Sequence, residues 1–178
     1  MTNTDIRCEM KKKRSSLSSS EVEASSKLIF EKIKTLDFIF DKQNFLIYKD
    51  FKNEVKTDKI ISYLRLLNKT VAHPITTGEN MIAAVPIGEG VARDAFGVEI
   101  PQDYFIMEAP EVIFVPLVAC DENKNRLGFG KGYYDRYMSG RQALKIGLCY
   151  DFQIVEAVSA NEWDVPLDMI ITEKRLIR

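Results

Sequence analysis

Between Arg126 and Arg136 the chain reads Arg-Leu-Gly-Phe-Gly-Lys-Gly-Tyr-Tyr-Asp-Arg, a composition suited to holding phosphate. Gly128, Gly130 and Gly132 alternate with larger residues. A residue without Cβ lets backbone amides approach a ligand closely and adopt φ > 0. Arg126 and Lys131 add cationic donors, and Tyr133-Tyr134-Asp135 reads as the opening of a helix, whose first amides favour an anion. Glycine amides, two cations and a helix start together describe a phosphate cradle. On spacing alone the string fits a tight strand-to-helix turn with surface charges equally well. It is not G-x-x-x-x-G-K-[ST], because no Ser or Thr follows Lys131, and its third glycine comes one residue early for G-x-G-x-x-G.

The flanking segments decide where such a corner sits. Val112–Ala119 is an apolar run that reads as a buried strand, and Asp121–Asn125 breaks it with a polar turn. Ser18 and Glu21 form a capping box, followed by Val22, Ser25, Ile29, Ile33 and Leu36 at helical spacing. Phe45–Tyr48, Thr70–Ile75, Met81–Val85, Ala143–Tyr150 and Met169–Thr172 read as further strands. Asp58 is positioned to cap a helix with the stripe Ile60, Ile61, Leu64 and Leu67. Residues 86–110 read as a turn-rich connection. This alternation predicts one α/β domain over residues 1–178, a layered α/β/α arrangement with a mostly parallel, Rossmann-like central sheet.

Other candidates carry weaker signals. Glu54 follows a strand's carboxyl end, where open α/β sheets hold ligands, although a Glu in a charged loop is more often solvated. His73, the sole histidine, lies inside an apolar strand before Pro74 and reads as structural. The basic run Arg7, Lys11, Lys12, Lys13 and Arg14 reads as a solvated helix face or a frayed terminus. Asp164 and Asp168 could be turn caps.

Bulk properties exclude whole classes. A net charge of -1 over 178 residues offers no basic excess for nucleic acid, and 46% apolar residues suit a globular core. No apolar run is long enough to span a bilayer, so no membrane partner is expected. Cys8, Cys120 and Cys149 are widely spaced without a C-x-x-C pair, which suits reduced thiols in the cytoplasm.

The whole string Arg126–Arg136 resembles the signature of the 5-formyltetrahydrofolate cyclo-ligases, R-L-G-x-G-x-G-Y-Y-D behind a strand V-P-x-x-A-[FC]-D. Val115-Pro116, Ala119 and Asp121 fall in step with that strand. Arg7, Asn53-Glu54-Val55, Phe96-Gly97 and the tail Asp164-Val165-Pro166-Leu167-Asp168 extend the resemblance, in the family's order, over nearly the whole chain. It implies ATP and Mg²⁺ as cofactors and 5-formyltetrahydrofolate, with or without a polyglutamate tail, as substrate. Residues Arg126 to Tyr134 (Leu127, Gly128, Phe129, Gly130, Lys131, Gly132 and Tyr133 between them), with Arg7 and Lys11, are then expected at the nucleotide. Asn3 stands at or near a family lysine. Glu54, Lys49 and Tyr133 are expected at the folate, with Glu54 facing the pterin's ring N–H and exocyclic amine. Asp135 and Asp164 would share the Mg²⁺. Phe96-Gly97 would help wall the substrate pocket. Arg126, Lys131 and Tyr133 would act in catalysis, the formyl oxygen attacking the γ-phosphate before N10 closes the ring. A monomer is expected. The rival reading is a regulatory protein that keeps the nucleotide cradle without cyclising folate.

Overall fold

The computed structural model describes residues 1–94 and 97–178. Phe96 therefore lies outside the described residues. Helix α1 (Asn3–Ser15) opens on a capping box in which Thr2 Oγ1 accepts from the Asp5 amide and the Asp5 carboxylate accepts from the Thr2 amide. Helix α2 (Ser19–Lys34) opens on the Ser18–Glu21 box predicted from sequence. After the short α3 (Asp37–Phe40) and strand β1 (Asn44–Ile47) comes α4 (Asp58–Leu66). Its N-cap is Thr57 rather than Asp58. The Thr57 hydroxyl donates instead to the Tyr48 carbonyl, so the helix has no side-chain cap and Asp58 starts its first turn.

Strands β2 (Thr70–Thr77) and β3 (Asn80–Pro86) form a hairpin closed at Gly78, φ +62°, where a left-handed turn requires glycine. The stretch expected to be an irregular connection instead contains β4 (Val91–Arg93), β5 (Glu99–Pro101) and β6 (Tyr104–Ile106). The apolar run ends as β7 (Val112–Pro116), and the chain then makes a small hairpin from β8 (Ala119–Cys120) and β9 (Arg126–Leu127). Helix α5 (Tyr133–Met138), β10 (Leu144–Leu148), β11 (Met169–Ile171) and β12 (Leu176–Ile177) complete the order.

The main sheet runs β12-β11-β10-β7-β1-β2-β3-β6. It is parallel from β11 to β2 and antiparallel at both margins, because β2–β3 and β11–β12 are hairpins rather than crossovers. One face packs Phe45, Ile47, Phe114 and Ile146 against Ile29, Ile33, Ile60 and Leu64 of α2 and α4. The other packs Leu46, Ile113, Val115 and Ile170 against Tyr137 and Met138 of the short α5. Helix α1 has a separate seat, with Ile6 and Met10 on Val118, Leu127 and Val158. The chain leaves β1 toward β2 but later returns on β1's other side as β7, so the connections reverse direction between β1 and β7. Open α/β sheets place their ligand crevice at such a reversal, beyond the strands' carboxyl ends.

Candidate active site

A cleft of about 640 Å³ lies at that reversal. Tyr48 and Lys49 enter it from the end of β1, Pro116 from the end of β7, and the corner Arg126–Arg136 forms one wall. Its size is that of a small-molecule site.

The corner keeps the shape its glycines require. Gly130 has φ +93° and Gly132 φ +68°, values a side chain would strain. Helix α5, which starts at Tyr133, is only six residues long. So short a run of aligned peptides adds little dipole, and side-chain cations must supply most of the positive charge. Lys131 lines the cleft and forms no ion pair among the described residues. Arg7 reaches the same wall from α1, its Nε donating to the Gly128 carbonyl at 2.9 Å.

Arg126, expected as a cationic donor at the nucleotide, has its side chain committed to a carboxylate. It is buried, and its Nη2 meets Asp135 Oδ1 at 2.6 Å, while its buried Nε has no partner among the described residues. Its guanidinium also lies 5.8 Å from the Tyr134 ring centroid. Asp135 Oδ1 accepts a second bond from the Val165 amide at 3.2 Å. Asp164, one residue away, holds Asn161 by its Oδ2. Both carboxylates line the cleft, and each keeps one oxygen without a donor among the described residues. Among the described residues no group of three or more acidic, His or Cys side chains forms a complete metal cage. This donor set fits Mg²⁺ held by one or two carboxylates with phosphate oxygens and water supplying the rest.

Lys11 does not line the cleft. Its Nζ sits 5.1 Å from the centroid of the Phe129 ring, and Arg14 approaches the same ring at 5.5 Å. Tyr133 lines the cleft, but its hydroxyl donates to the Gly78 carbonyl and so docks the corner on the β2–β3 turn. Tyr134, which also lines the cleft, has a buried hydroxyl without a partner among the described residues, and burial raises its pKa. Asn3 bonds the Ser159 backbone through both its amide atoms, at 2.8 and 3.2 Å.

At the other end stands Glu54, 7% exposed. Its Oε2 accepts from the Phe51 amide, and its Oε1 lies 3.6 Å from Arg14 Nη1. Desolvation is the larger influence and outweighs Arg14, pushing the carboxyl up to about 7. Lys49 lines this end, 3.9 Å from Asp58. His73, read from its apolar strand as structural, also lines it. Its Nδ1–H donates to the Ile47 carbonyl, its buried Nε2 has no partner among the described residues, and burial lowers its pKa to about 4. The ring is therefore neutral at physiological pH.

Arg14 is the residue that sequence reasoning missed. It sits on the buried stripe Ile6, Met10, Arg14 of α1 and is only 4% exposed. The four-residue spacing from two apolar neighbours was the available signal, hidden by the surrounding lysines.

Comparison with known proteins decides the family. Residues 2–173 match the model of the 5-formyltetrahydrofolate cyclo-ligase family. The chain belongs to that family. The 5-formyltetrahydrofolate cyclo-ligase of Haemophilus influenzae is 30% identical over 173 residues, covering 91% of this chain and 92% of that protein. That of Mycoplasma pneumoniae is 30% identical over 182 residues, 98% of this chain and 100% of the relative. Among solved structures, Aquifex aeolicus 5,10-methenyltetrahydrofolate synthetase superposes with a TM-score of 0.89 at 30% identity, covering 100% of this chain and 93% of its own. The Mycoplasma pneumoniae synthetase gives 0.80 at 29% identity, with 97% and 99% covered. Both synthetases thus share this mixed α/β fold over nearly all of their length.

Proposed function

We propose that this family member converts 5-formyltetrahydrofolate to 5,10-methenyltetrahydrofolate, using ATP as phosphoryl donor and releasing ADP and phosphate. The observation that carries the reading is a single cleft with two chemically different ends. Glu54 offers buried acceptor oxygens suited to a pterin's adjacent donors, and Lys131, Arg7 and the glycine amides offer donors suited to phosphates.

The formyl oxygen is a poor nucleophile and oxide a poor leaving group. Phosphorylation of that oxygen by ATP makes the formyl carbon electrophilic, N10 attacks it, and phosphate leaves. The protein's task is alignment and charge stabilisation. Lys131 and Arg7 bind the phosphates, while Arg126 holds Asp135 in place from behind. Glu54, in its ionised form, orients the pterin, and Lys49 assists at the same end. Mg²⁺ held by Asp135 and Asp164 would neutralise phosphate charge. Among the described residues no helix is long and apolar enough to cross a membrane. We place the enzyme in the cytoplasm, where the free thiols of Cys8, Cys120 and Cys149 stay reduced.

Mixing protein, Mg²⁺-ATP and 5-formyltetrahydrofolate should give the methenyl product's absorbance together with folate-dependent ADP release. ADP binding without turnover would support the regulatory reading instead.

A further inference from the structure

Helix α1 acts as a ruler across the cleft. At its start Asn3 is bonded to Ser159; near its end Arg14 pairs with Glu54. Eleven residues at a rise of 1.5 Å separate these two anchors by about 16 Å. A nucleotide whose γ-phosphate meets folate at the Glu54 end must place its base at the opposite mouth, beside Asn3. The segment 159–164 forms that mouth. It is fixed by the Asn3–Ser159 bonds, by Asn161 on Asp164, and by the Val165 amide on Asp135.

Trp163 stands in this segment, lines the cleft and is 66% exposed. Among the described residues its ring has no aromatic or cationic neighbour within stacking range, and its indole N–H makes no hydrogen bond. The other aromatic rings of this wall already have cations against them: Lys11 and Arg14 on Phe129, Arg136 on Tyr133 and Arg126 on Tyr134. A large indole held open at the mouth of a phosphate site, on a segment braced at both ends, is a stacking surface without its partner.

We propose that Trp163 is the platform on which the nucleotide's purine base stacks. This rests on the ATP reading above, and the test separates the two. Trp163 is the only tryptophan, so its fluorescence reports on this position alone. Saturable quenching by ADP in the absence of folate is expected, with inorganic tripolyphosphate leaving the emission unchanged. By calorimetry, Trp163→Ala should weaken ADP roughly tenfold, Trp163→Phe should recover most of that loss, and tripolyphosphate should bind all three proteins alike. An exposed side chain can be replaced without unfolding the chain, and an unchanged melting temperature checks this. If ADP binds by calorimetry but neither quenches nor discriminates the variants, the platform is overturned while the ATP reading stands. Quenching by 5-formyltetrahydrofolate but not by ADP overturns it too and gives the indole to the pterin. If ADP and ATP do not bind at all, both readings fall.

Discussion

Glu54 is poised to titrate where the enzyme works. Burial raises its carboxyl to about 7, and only the ionised form accepts from two pterin donors at once. The folate kcat/KM should therefore climb with pH through a limb near 7, and Glu54→Gln should flatten that limb while lowering folate use. The same shift has a stability consequence of opposite slope. Between about 4.5 and 7 the folded state binds more protons at Glu54 than the unfolded chain does, so stability falls as pH rises and levels off above 7. Urea unfolding of Glu54→Gln should lack that slope. At the proposed nucleotide end, Lys131→Ala should cut kcat/KM for ATP by about tenfold or more, since a cation with no ion pair among the described residues is removed from the cleft. Wild-type kinetics would remove Lys131 from the cradle. Asp135→Asn should move the Mg²⁺ titration of turnover to concentrations on the order of tenfold higher. An unmoved midpoint would leave Asp135 only its role as Arg126's partner.

Helix α1 links those two ends, and its weight comes from Arg14. Removing one partner of a buried pair usually leaves a stranded charge, but Glu54 can take up a proton and soften the loss. Arg14→Ala should therefore cost about 1–3 kcal/mol in unfolding free energy and shift the Glu54 pH limb upward. A limb that stays in place would mean the two groups do not communicate. What the sequence disclosed at this scale follows from local rules. The Ser18–Glu21 box and the glycine corner were legible because their geometry depends on residues three or four apart. Arg14, the His73 ring and the spent hydroxyl of Thr57 were not, since their partners, the Leu117, Ile47 and Tyr48 carbonyls, lie outside the range of local sequence rules. The hairpins at the sheet's margins escaped for a related reason. A strand's apolar pattern does not say which direction its neighbour runs, and only the Gly78 turn marked the reversal.

At the scale of the whole molecule, the cleft is assembled from segments distant in sequence and joined by a few specific bonds. Arg7 holds Gly128 across 121 positions, Asn3 holds Ser159 across 156, and Asp135 holds Val165 across 30. None of these segments belongs to the parallel sheet, whose buried strands form the rigid floor. Such peripheral segments open locally at lower free energy than core strands, so a ligand that bridges them should stabilise them together. On adding ADP, amide exchange should slow in three places at once: α1, the corner Arg126–Arg136 and residues 159–164. The amides of β1, β7 and β10 should change little beyond the global shift. Adding folate should extend the protection to residues 49–54. If ADP protects the glycine corner alone, α1 and the 159–164 segment are supports for the fold rather than walls of the nucleotide site. In that case Arg7→Ala should leave ATP use unchanged, because Arg7 would then only brace Gly128.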